Sequence, residues 1–280
     1  MDRVPLLNHA LDEPTVFTPD ALIAAVRLER GLEIEPPPPV CVLDFDGDLT
    51  DWLIAKGRAR PWASWACFHT TMFSLEVDGV RHGIIPRTIG GPYAVLVAEQ
   101  LAASGAQLIL GLTSAGRVLS SLPIPSLVIA TAAVRDEGTS YHYLPPTECV
   151  DAPKGVPDCL ETELRRLRVP VTRGVVWTTD APYRETQQQL ERHAAEGVLA
   201  VEMQAASLFS FAVRRGFPVA VVAHVTNAVD HSDDQFDKGS ELESVGLLEA
   251  MCRAGRQFLQ YSAASAEGGV GGGCDRLGRG

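Results

Sequence analysis

Short continuous apolar runs alternate along the chain with longer stretches in which apolar residues recur every three or four positions. The runs are typical of strands buried on both faces of a sheet, and they cover residues 40–43, 108–112, 127–133, 175–177 and 219–225, with weaker signals at 65–77 and 83–85. The helical spacing covers residues 21–32, 92–104, 158–167, 183–196, 202–215 and 242–261. Strands that alternate with helices predict a single α/β domain with a central, mostly parallel, mixed β-sheet flanked by helices.

The pattern divides the chain into three regions. Residues 1–35 are predicted to form an N-terminal arm and one helix, with a start signal around Thr18 and a stop at Gly31. Residues 36–261, which open on four consecutive prolines, form the α/β domain. Residues 262–280 include the sequence Gly-Gly-Val-Gly-Gly-Gly and are predicted to be a flexible tail.

Composition and charge exclude several classes of protein. Of the 280 residues, 46% are hydrophobic and 21% are charged, which is the balance of an ordinary globular protein. The formal net charge of −11 argues against a nucleic-acid partner, which needs a basic face. No apolar run approaches the roughly 20 residues of a membrane span, and charges throughout the first 30 positions do not fit a signal peptide. We therefore expect a cytoplasmic protein with no membrane partner.

The six cysteines predict no metal centre. None forms a Cys-x-x-Cys pair, and none lies at a zinc-like spacing from a histidine. We expect reduced cysteines that mostly pack in the interior, with no metal and no cofactor.

Three aspartates follow the first predicted strand. The run Asp-Phe-Asp-Gly-Asp at residues 44–48 resembles the first motif of haloacid-dehalogenase-type phosphatases, in which one Asp attacks phosphorus and a second acts as acid and base. Asp48 replaces the threonine of that motif, and the run also lacks the spacing of a calcium loop. Both interpretations are therefore disfavoured.

A second run, Gly-Leu-Thr-Ser-Ala-Gly at residues 111–116, follows another predicted strand. It resembles a nucleophile elbow but has one residue too many before Ser114, so a tight glycine-rich turn from strand to helix fits better. Thr113, Ser114 and Gly116 then lie at the carboxyl end of a strand, where open α/β sheets bind ligands. Backbone N–H groups at the start of a helix would be accessible there.

The same run is one of five segments that match a single family in order and spacing. The others are Thr-Ile-Gly-Gly-Pro at 88–92, Ala-Val-Arg-Asp-Glu-Gly-Thr-Ser-Tyr-His-Tyr at 133–143, Trp-Thr-Thr-Asp-Ala-Pro-Tyr-Arg at 177–184 and Val-Glu-Met-Gln-Ala-Ala at 201–206. Together they resemble the nucleoside phosphorylase/nucleosidase superfamily, type I, over residues 40–227. The resemblance implies a small-molecule enzyme that acts at N-glycosidic bonds and forms homo-oligomers with sites near subunit contacts.

The resemblance also implies roles for single residues. Glu202 corresponds to a carboxylate that binds ribose, with Met203 and Gln204 beside it, and Asn227 lies where the leaving base gathers charge. The other substrate contacts that we expect are Thr113, Ser114, Gly116, Arg135, Tyr183 and Arg184. Considered alone, Glu202 also fits a charge that complements a helix dipole, and Met203 also fits a core position.

The sequence departs from the family pattern at the phosphate site and at the residue that protonates the leaving base. In the register of the resemblance, Asp51, Ser74 and Gly111 stand where the family places arginines for phosphate. The candidates to replace those arginines are Arg87, Arg117 and Arg135. Gln204 replaces a second ribose-binding glutamate, and Asn227 replaces an aspartic acid that protonates the base in part of the family.

Three functions follow as hypotheses. The first is an enzyme of this superfamily that acts on a nucleoside or nucleoside-like molecule without ordinary phosphate use. The second is an enzyme of the same fold recruited to other biosynthetic chemistry such as cyclisation or isomerisation, since a fold does not fix a function. The third is an ordinary purine or uridine phosphorylase with a rearranged phosphate site. A non-catalytic binding or assembly subunit is a further alternative.

Overall fold

A computed structural model describes residues 4–228 and 241–268 of the chain. The helices are α1 (Pro19–Arg30), α2 (Asp48–Ala55), α3 (Gly91–Ser104), α4 (Val156–Leu164), α5 (Gln187–Ala195), α6 (Ala205–Arg215) and α7 (Glu241–Gly268). The strands are β1 (Val40–Asp44), β2 (Ala59–Pro61), β3 (Phe73–Val77), β4 (Val80–Pro86), β5 (Leu108–Arg117), β6 (Ser126–Asp136), β7 (Cys149–Asp151), β8 (Val171–Thr179), β9 (Ala200–Glu202) and β10 (Val219–Ala228). Short 3-10 turns cover Pro5–Leu7, Thr139–His142 and Pro182–Arg184.

All ten strands belong to one mixed sheet. Nine of them follow the order β10-β6-β8-β9-β5-β1-β4-β3-β2, and the tenth, β7, pairs with β6. Strand β10 also pairs with β5, so five of the strands close into a ring. Strand β1 runs parallel to β4 and β5, β5 runs parallel to β10, and β6 runs parallel to β8. The predicted single α/β domain with a mixed sheet flanked by helices is confirmed.

Two apolar layers cover the sheet. Helices α3 and α6 pack on one face, around the buried aromatic rings of Phe45, Phe209 and Phe211. Helices α2, α4 and α7 pack on the other. Every residue of β1 is buried, as its continuous apolar run predicts.

Several predicted helices have the expected ends. The hydroxyl of Thr18 accepts a hydrogen bond from the N–H of Ala21 at the start of α1, and Gly31 ends that helix in the left-handed conformation. Gly105 ends α3 in the same way. Helix α7 continues beyond residue 261 to Gly268, so the first seven residues of the predicted tail are helical. Residues 269–280 lie outside the described part of the chain.

Three local predictions are wrong. Residues 113–117 do not turn into a helix but continue β5, because β10 and β9 supply ladder partners as far as Arg117. The helix predicted from residue 183 begins at Gln187, since Thr186 and Gln189 form a capping box there. The helix predicted from residue 202 begins at Ala205, because Glu202 is the last residue of β9.

Helix α2 was not predicted, because the aspartate run was considered only as a catalytic or calcium motif. Gly47 adopts a left-handed conformation before the helix, with φ of 86°. The buried carboxylate of Asp44 accepts hydrogen bonds from the N–H of Gly47 at 3.2 Å and from the N–H and hydroxyl of Thr50 at 2.9 and 2.7 Å. Asp44 therefore anchors the first turn of α2 and is not an open nucleophile. In the described residues, no helix is both long and apolar enough to cross a membrane.

Candidate active site

Glu202 is held rigidly at the junction between β9 and α6. Its side chain is only 4% exposed. One carboxylate oxygen accepts a hydrogen bond from the hydroxyl of Thr178 at 2.5 Å, and the other accepts from the backbone N–H groups of Gln204 at 2.7 Å and Ala205 at 2.9 Å. Burial raises the pKa of Glu202 from 4.5 to about 7, although these hydrogen bonds favour the ionised form. The carboxyl group is therefore positioned by its own chain and is close to half ionised at neutral pH.

The residues beside Glu202 tie β9 to β5. The side-chain oxygen of Gln204 accepts hydrogen bonds from the hydroxyl of Thr113 at 3.3 Å and from the N–H of Met203 at 3.2 Å. Gln204 and Thr113 are buried, whereas Met203 is half-buried. The structure thus brings four predicted residues together where β5 pairs with β9, which are Thr113, Glu202, Met203 and Gln204.

Asn227 and Gly116 join the same junction through backbone pairing. Gly116 pairs with Val201 of β9 and with Asn227 of β10, immediately after a bulge in β10. Ser114 pairs with His224 two residues earlier. The ends of β5, β9 and β10 therefore bring the backbones of Gly116, Glu202 and Asn227 close together in space.

An acidic cleft of about 570 Å³ opens beside this junction. Four aspartates line it together with Thr113, Ser114, Trp52 and His224: Asp44, Asp46, Asp48 and Asp51. The backbone N–H of Ser114 donates to the carboxylate of Asp46 at 3.2 Å. The N–H donor that was expected to face an anion is therefore already bonded to a carboxylate.

Two of the arginines that were candidates to replace the missing cationic groups are either paired with a carboxylate or distant from the cleft. Arg87 forms an ion pair with Asp51 at the mouth of the cleft. Arg117 contacts the carbonyl of Leu122 at 3.5 Å and lines a different, smaller cavity. Neither arginine lines the acidic cleft.

Arg135, predicted to contact substrate, organises its own loop. Its guanidinium donates to the hydroxyls of Ser140 at 2.8 Å and Thr147 at 2.7 Å, and to the carbonyls of Pro145 at 2.7 Å and Leu144 at 3.3 Å. The group is buried, and desolvation lowers its pKa. These bonds hold the loop between β6 and β7 and use four of the five guanidinium N–H donors. Arg135 also lines a cavity of about 470 Å³, so its contact with substrate stays a prediction.

A second cavity, of about 470 Å³, lies at the carboxyl ends of β6 and β8. Its wall includes Trp177, Thr179, Arg184 and Glu185, and the N-terminal arm covers it with the side chains of Leu6 and Leu7 among others. Tyr183 does not line this cavity, because its side chain is fully exposed in the single chain. Of the two residues predicted from this segment, the structure thus places Arg184 at a cavity and Tyr183 on the surface.

Comparison with known proteins identifies the family. The family model described as "Phosphorylase superfamily" matches residues 39–255, which includes every strand and most of α7. The chain belongs to the phosphorylase superfamily. It is 28% identical to a guanosine phosphorylase of Halorubrum lacusprofundi over 179 residues, which are 60% of this chain and 70% of that protein.

Two other relatives of this phosphorylase-superfamily protein act on different bases according to their names. A uridine phosphorylase of Salmonella typhimurium is 24% identical over 191 residues, covering 63% of this chain and 72% of the relative. A DeoD-type purine nucleoside phosphorylase of Colwellia psychrerythraea is 28% identical over 177 residues, covering 61% and 74%. The family membership is therefore shown, whereas these relatives do not agree on a single base.

Sequence reasoning assigned no role to several groups that the structure places beside Glu202 or in the two cavities. Thr178 was quoted in a motif without a role, although it holds Glu202. Asp46 was considered only as part of a phosphatase motif or a calcium loop, and both were disfavoured. Glu185 directly follows the segment at 177–184 and belongs to none of the five quoted motifs. Among the described residues, no cluster of histidine, cysteine and carboxylate side chains is arranged to hold a metal ion.

Proposed function

We propose that this phosphorylase-superfamily enzyme cleaves the N-glycosidic bond of a nucleoside or nucleoside-like molecule with water as the acceptor. The observation that carries the proposal is the acidic cleft. The cleft contains Asp51, one of the three positions where the resemblance expects an arginine, together with three further aspartates, and Asp46 accepts a hydrogen bond from the N–H of Ser114. A phosphate dianion placed there would be desolvated beside like charges, which costs several kcal/mol.

The proposed reaction assigns a task to each group at the strand junction. As the bond between the sugar carbon and the base nitrogen breaks, its electron pair stays with the base and the sugar becomes oxocarbenium-like. Glu202 binds sugar hydroxyls through its remaining acceptor capacity and stabilises the developing positive charge. Asn227 donates a hydrogen bond to the base, and Met203 packs against the sugar.

The acidic cleft supplies the acceptor side of the reaction. A water molecule attacks the sugar carbon, and its proton passes to a carboxylate, for which Asp46 is best placed because only one of its oxygens bonds to Ser114. The departing base takes up a proton from solvent, and Asp46 releases the proton of the attacking water to solvent, so the products are a free sugar and a neutral base. Thr113 and Ser114 line the cleft in which this water is bound.

Ordinary phosphorolysis is the alternative function that a specific observation favours, because the named relatives are phosphorylases. Recruitment to other small-molecule chemistry predicts no release of base from any nucleoside. A panel of purine and pyrimidine nucleosides, assayed by chromatography for free base, separates these outcomes. We expect base release from at least one nucleoside in phosphate-free buffer. If the whole panel stays intact both with and without phosphate, the enzyme does not cleave nucleosides.

We further propose a cytosolic homo-oligomer whose sites are completed across subunit contacts. The single chain exposes several large apolar side chains, which are Val16, Phe17, Leu28, Ile34, Ile89 and Tyr183. Contact with a second copy would cover such side chains, including Tyr183 beside the second cavity. Neither a nucleic acid nor a membrane is needed as a partner.

We expect light scattering at micromolar concentration to return a mass of at least twice 30.1 kDa. The variant Tyr183→Ser should shift that mass toward the monomer if the exposed ring lies in the contact. A parent protein that scatters as a single chain would contradict a shared site, whatever the variant does.

A further inference from the structure

Thr178 directly faces Glu202 across two neighbouring strands. The two residues are partners in the parallel pairing of β8 with β9, so their side chains lie on the same face of the sheet. Thr178 is fully buried, and its hydroxyl oxygen lies 2.5 Å from one carboxylate oxygen of Glu202. The contact is therefore made by the sheet itself and does not depend on a loop.

The direction of this hydrogen bond is fixed by the start of α6. The hydroxyl oxygen of Thr178 also accepts a hydrogen bond from the backbone N–H of Ala206 at 2.9 Å, and an N–H group can only donate. A hydroxyl group carries a single proton, and the acceptor that this proton reaches is the carboxylate of Glu202. Thr178 thus presents its proton, and not a lone pair, to Glu202.

The second carboxylate oxygen of Glu202 also faces donors. It accepts from the backbone N–H groups of Gln204 at 2.7 Å and Ala205 at 2.9 Å. Three successive N–H groups at the start of α6 therefore serve Glu202 and Thr178, at the end of the helix where such groups have no partner within the helix. A proton on either oxygen of Glu202 would point at a donor, so this geometry favours the ionised carboxylate.

Two influences oppose the ionised form of Glu202. Burial removes the carboxylate from water, and the negative charge of Glu137, directly after β6, repels it. Together they raise the pKa of Glu202 to about 7, so the loss of one donor would leave the group largely protonated at neutral pH. The other titratable side chains on the surrounding strands have contacts of their own, and they are Arg135 and Asp136 of β6, Arg117 of β5, Asp180 after β8 and His224 of β10.

We propose that Thr178 is a positioning residue, which orients the carboxylate of Glu202 toward the sugar and keeps it ionised. This inference rests on the proposed cleavage of nucleosides, in which an ionised Glu202 stabilises the developing positive charge. A carboxylate has about four acceptor positions, and the donors from Thr178, Gln204 and Ala205 fill three of them. The remaining position is on the oxygen that Thr178 contacts, so the hydroxyl of Thr178 also determines the direction from which a sugar hydroxyl is bound.

Removal of the hydroxyl should shift the pH at which Glu202 titrates. In Thr178→Val the carboxylate loses its side-chain donor, so the midpoint of its titration should rise by about one pH unit. Thr178→Ser keeps a hydroxyl and should titrate as the parent does. The matched control is Thr172→Val, earlier in β8, which should leave the midpoint unchanged. Infrared difference spectroscopy with carbon-13-labelled glutamate measures the midpoint, and the signal of Glu202 is the one that is absent from Glu202→Gln.

Activity supplies a second readout, because a purely structural loss would not depend on pH in this way. In Thr178→Val, kcat/KM for nucleoside cleavage should fall about tenfold at pH 6, where the shifted midpoint leaves far less Glu202 ionised. At pH 9 Glu202 is ionised in both proteins, so the variant should stay within about threefold of the parent. Thr178→Ser should restore the rate at pH 6, and the loss should appear in kcat more than in KM.

The outcomes separate this inference from the proposed function. If the midpoint rises in Thr178→Val but the parent cleaves no nucleoside, Thr178 controls Glu202 and the proposed cleavage is wrong. If nucleosides are cleaved but the midpoint in Thr178→Val is that of the parent, the role of Thr178 is overturned. A shift of the same size in Thr178→Ser or in Thr172→Val would overturn it as well. Should Thr178→Val fail to fold by circular dichroism, Thr178→Ala removes the hydroxyl in its place and is held to the same outcomes.

Discussion

Replacing Glu202 by glutamine is expected to lower kcat/KM for nucleoside cleavage by roughly 30-fold to 1,000-fold, about 2–4 kcal/mol of transition-state stabilisation. The variant keeps an oxygen that can accept from the N–H groups of Gln204 and Ala205. It loses the negative charge that faces the oxocarbenium-like sugar. Because the interaction strengthens as charge develops, kcat should fall more than KM rises.

The pH dependence of the parent supports the same assignment. Burial raises the pKa of Glu202 to about 7, so its ionised fraction increases between pH 6 and pH 8. If the ionised form is active, kcat/KM should rise over this interval. In Glu202→Gln the contribution of this group to the rise should be absent.

Stability provides the control for folding. The raised pKa means that the native state binds the proton of Glu202 more tightly than the unfolded state does. The stability associated with this proton is fully present below pH 4.5 and is lost as pH rises through 7. The difference in Tm between Glu202→Gln and the parent should therefore favour the variant more at pH 8 than at pH 5. If Glu202→Gln is folded and its kcat/KM lies within twofold of that of the parent, Glu202 does not stabilise the transition state. Its role would then be limited to complementing the dipole of α6.

Inorganic phosphate is expected to bind with a dissociation constant above about 1 mM, or less than about 4 kcal/mol of binding. The cleft has a surplus of carboxylates, and Arg87 is neutralised by Asp51. The rate of base release should be the same in phosphate and in chloride at matched ionic strength. A dissociation constant well below 1 mM would show that an anion site exists in spite of these charges.

Two variants test the electrostatic cause. Asp46→Asn removes the charge beside the N–H of Ser114, and Asp51→Arg restores a cation at the position that the resemblance indicates. We expect the double variant to bind phosphate at least tenfold more tightly than the parent, while Asp46→Asn alone lowers hydrolysis about 100-fold through loss of the base. Asp12→Asn, at an exposed surface ion pair, is the control for a single lost carboxylate. Arginine cannot be restored at Gly111, where even a Cβ atom would lie 2.9 Å from the ring of Phe45.

Much of the fold could be predicted because strands buried on both faces leave continuous apolar runs, as β1 and β10 show. The resemblance of five short segments in register also predicted that Glu202, Thr113 and Gly116 share one site, but it did not predict the strand pairing between β5 and β9 that brings them together. The end of β5 could not be predicted from local signals. Gly-Leu-Thr-Ser-Ala-Gly is typical of a turn, but pairing with the distant strands β9 and β10 makes it a strand.

The chemistry of the two cavities depended on contacts that are remote in sequence. The bond between Asp46 and Ser114 joins residues 68 positions apart, and no spacing rule connects them. Arg135 was predicted as a substrate contact because its motif resembles the family. Only the folded loop shows that nearby hydroxyls and carbonyls accept four of its five N–H donors.

The identity of the sugar product tests the central claim most directly. The enzyme is incubated with its best nucleoside in water enriched in oxygen-18, with and without phosphate, and the sugar is analysed by mass spectrometry. Hydrolysis predicts a free sugar that carries the heavy oxygen at its anomeric carbon in both buffers. A sugar 1-phosphate that forms only when phosphate is present would contradict the account and identify the protein as an ordinary phosphorylase.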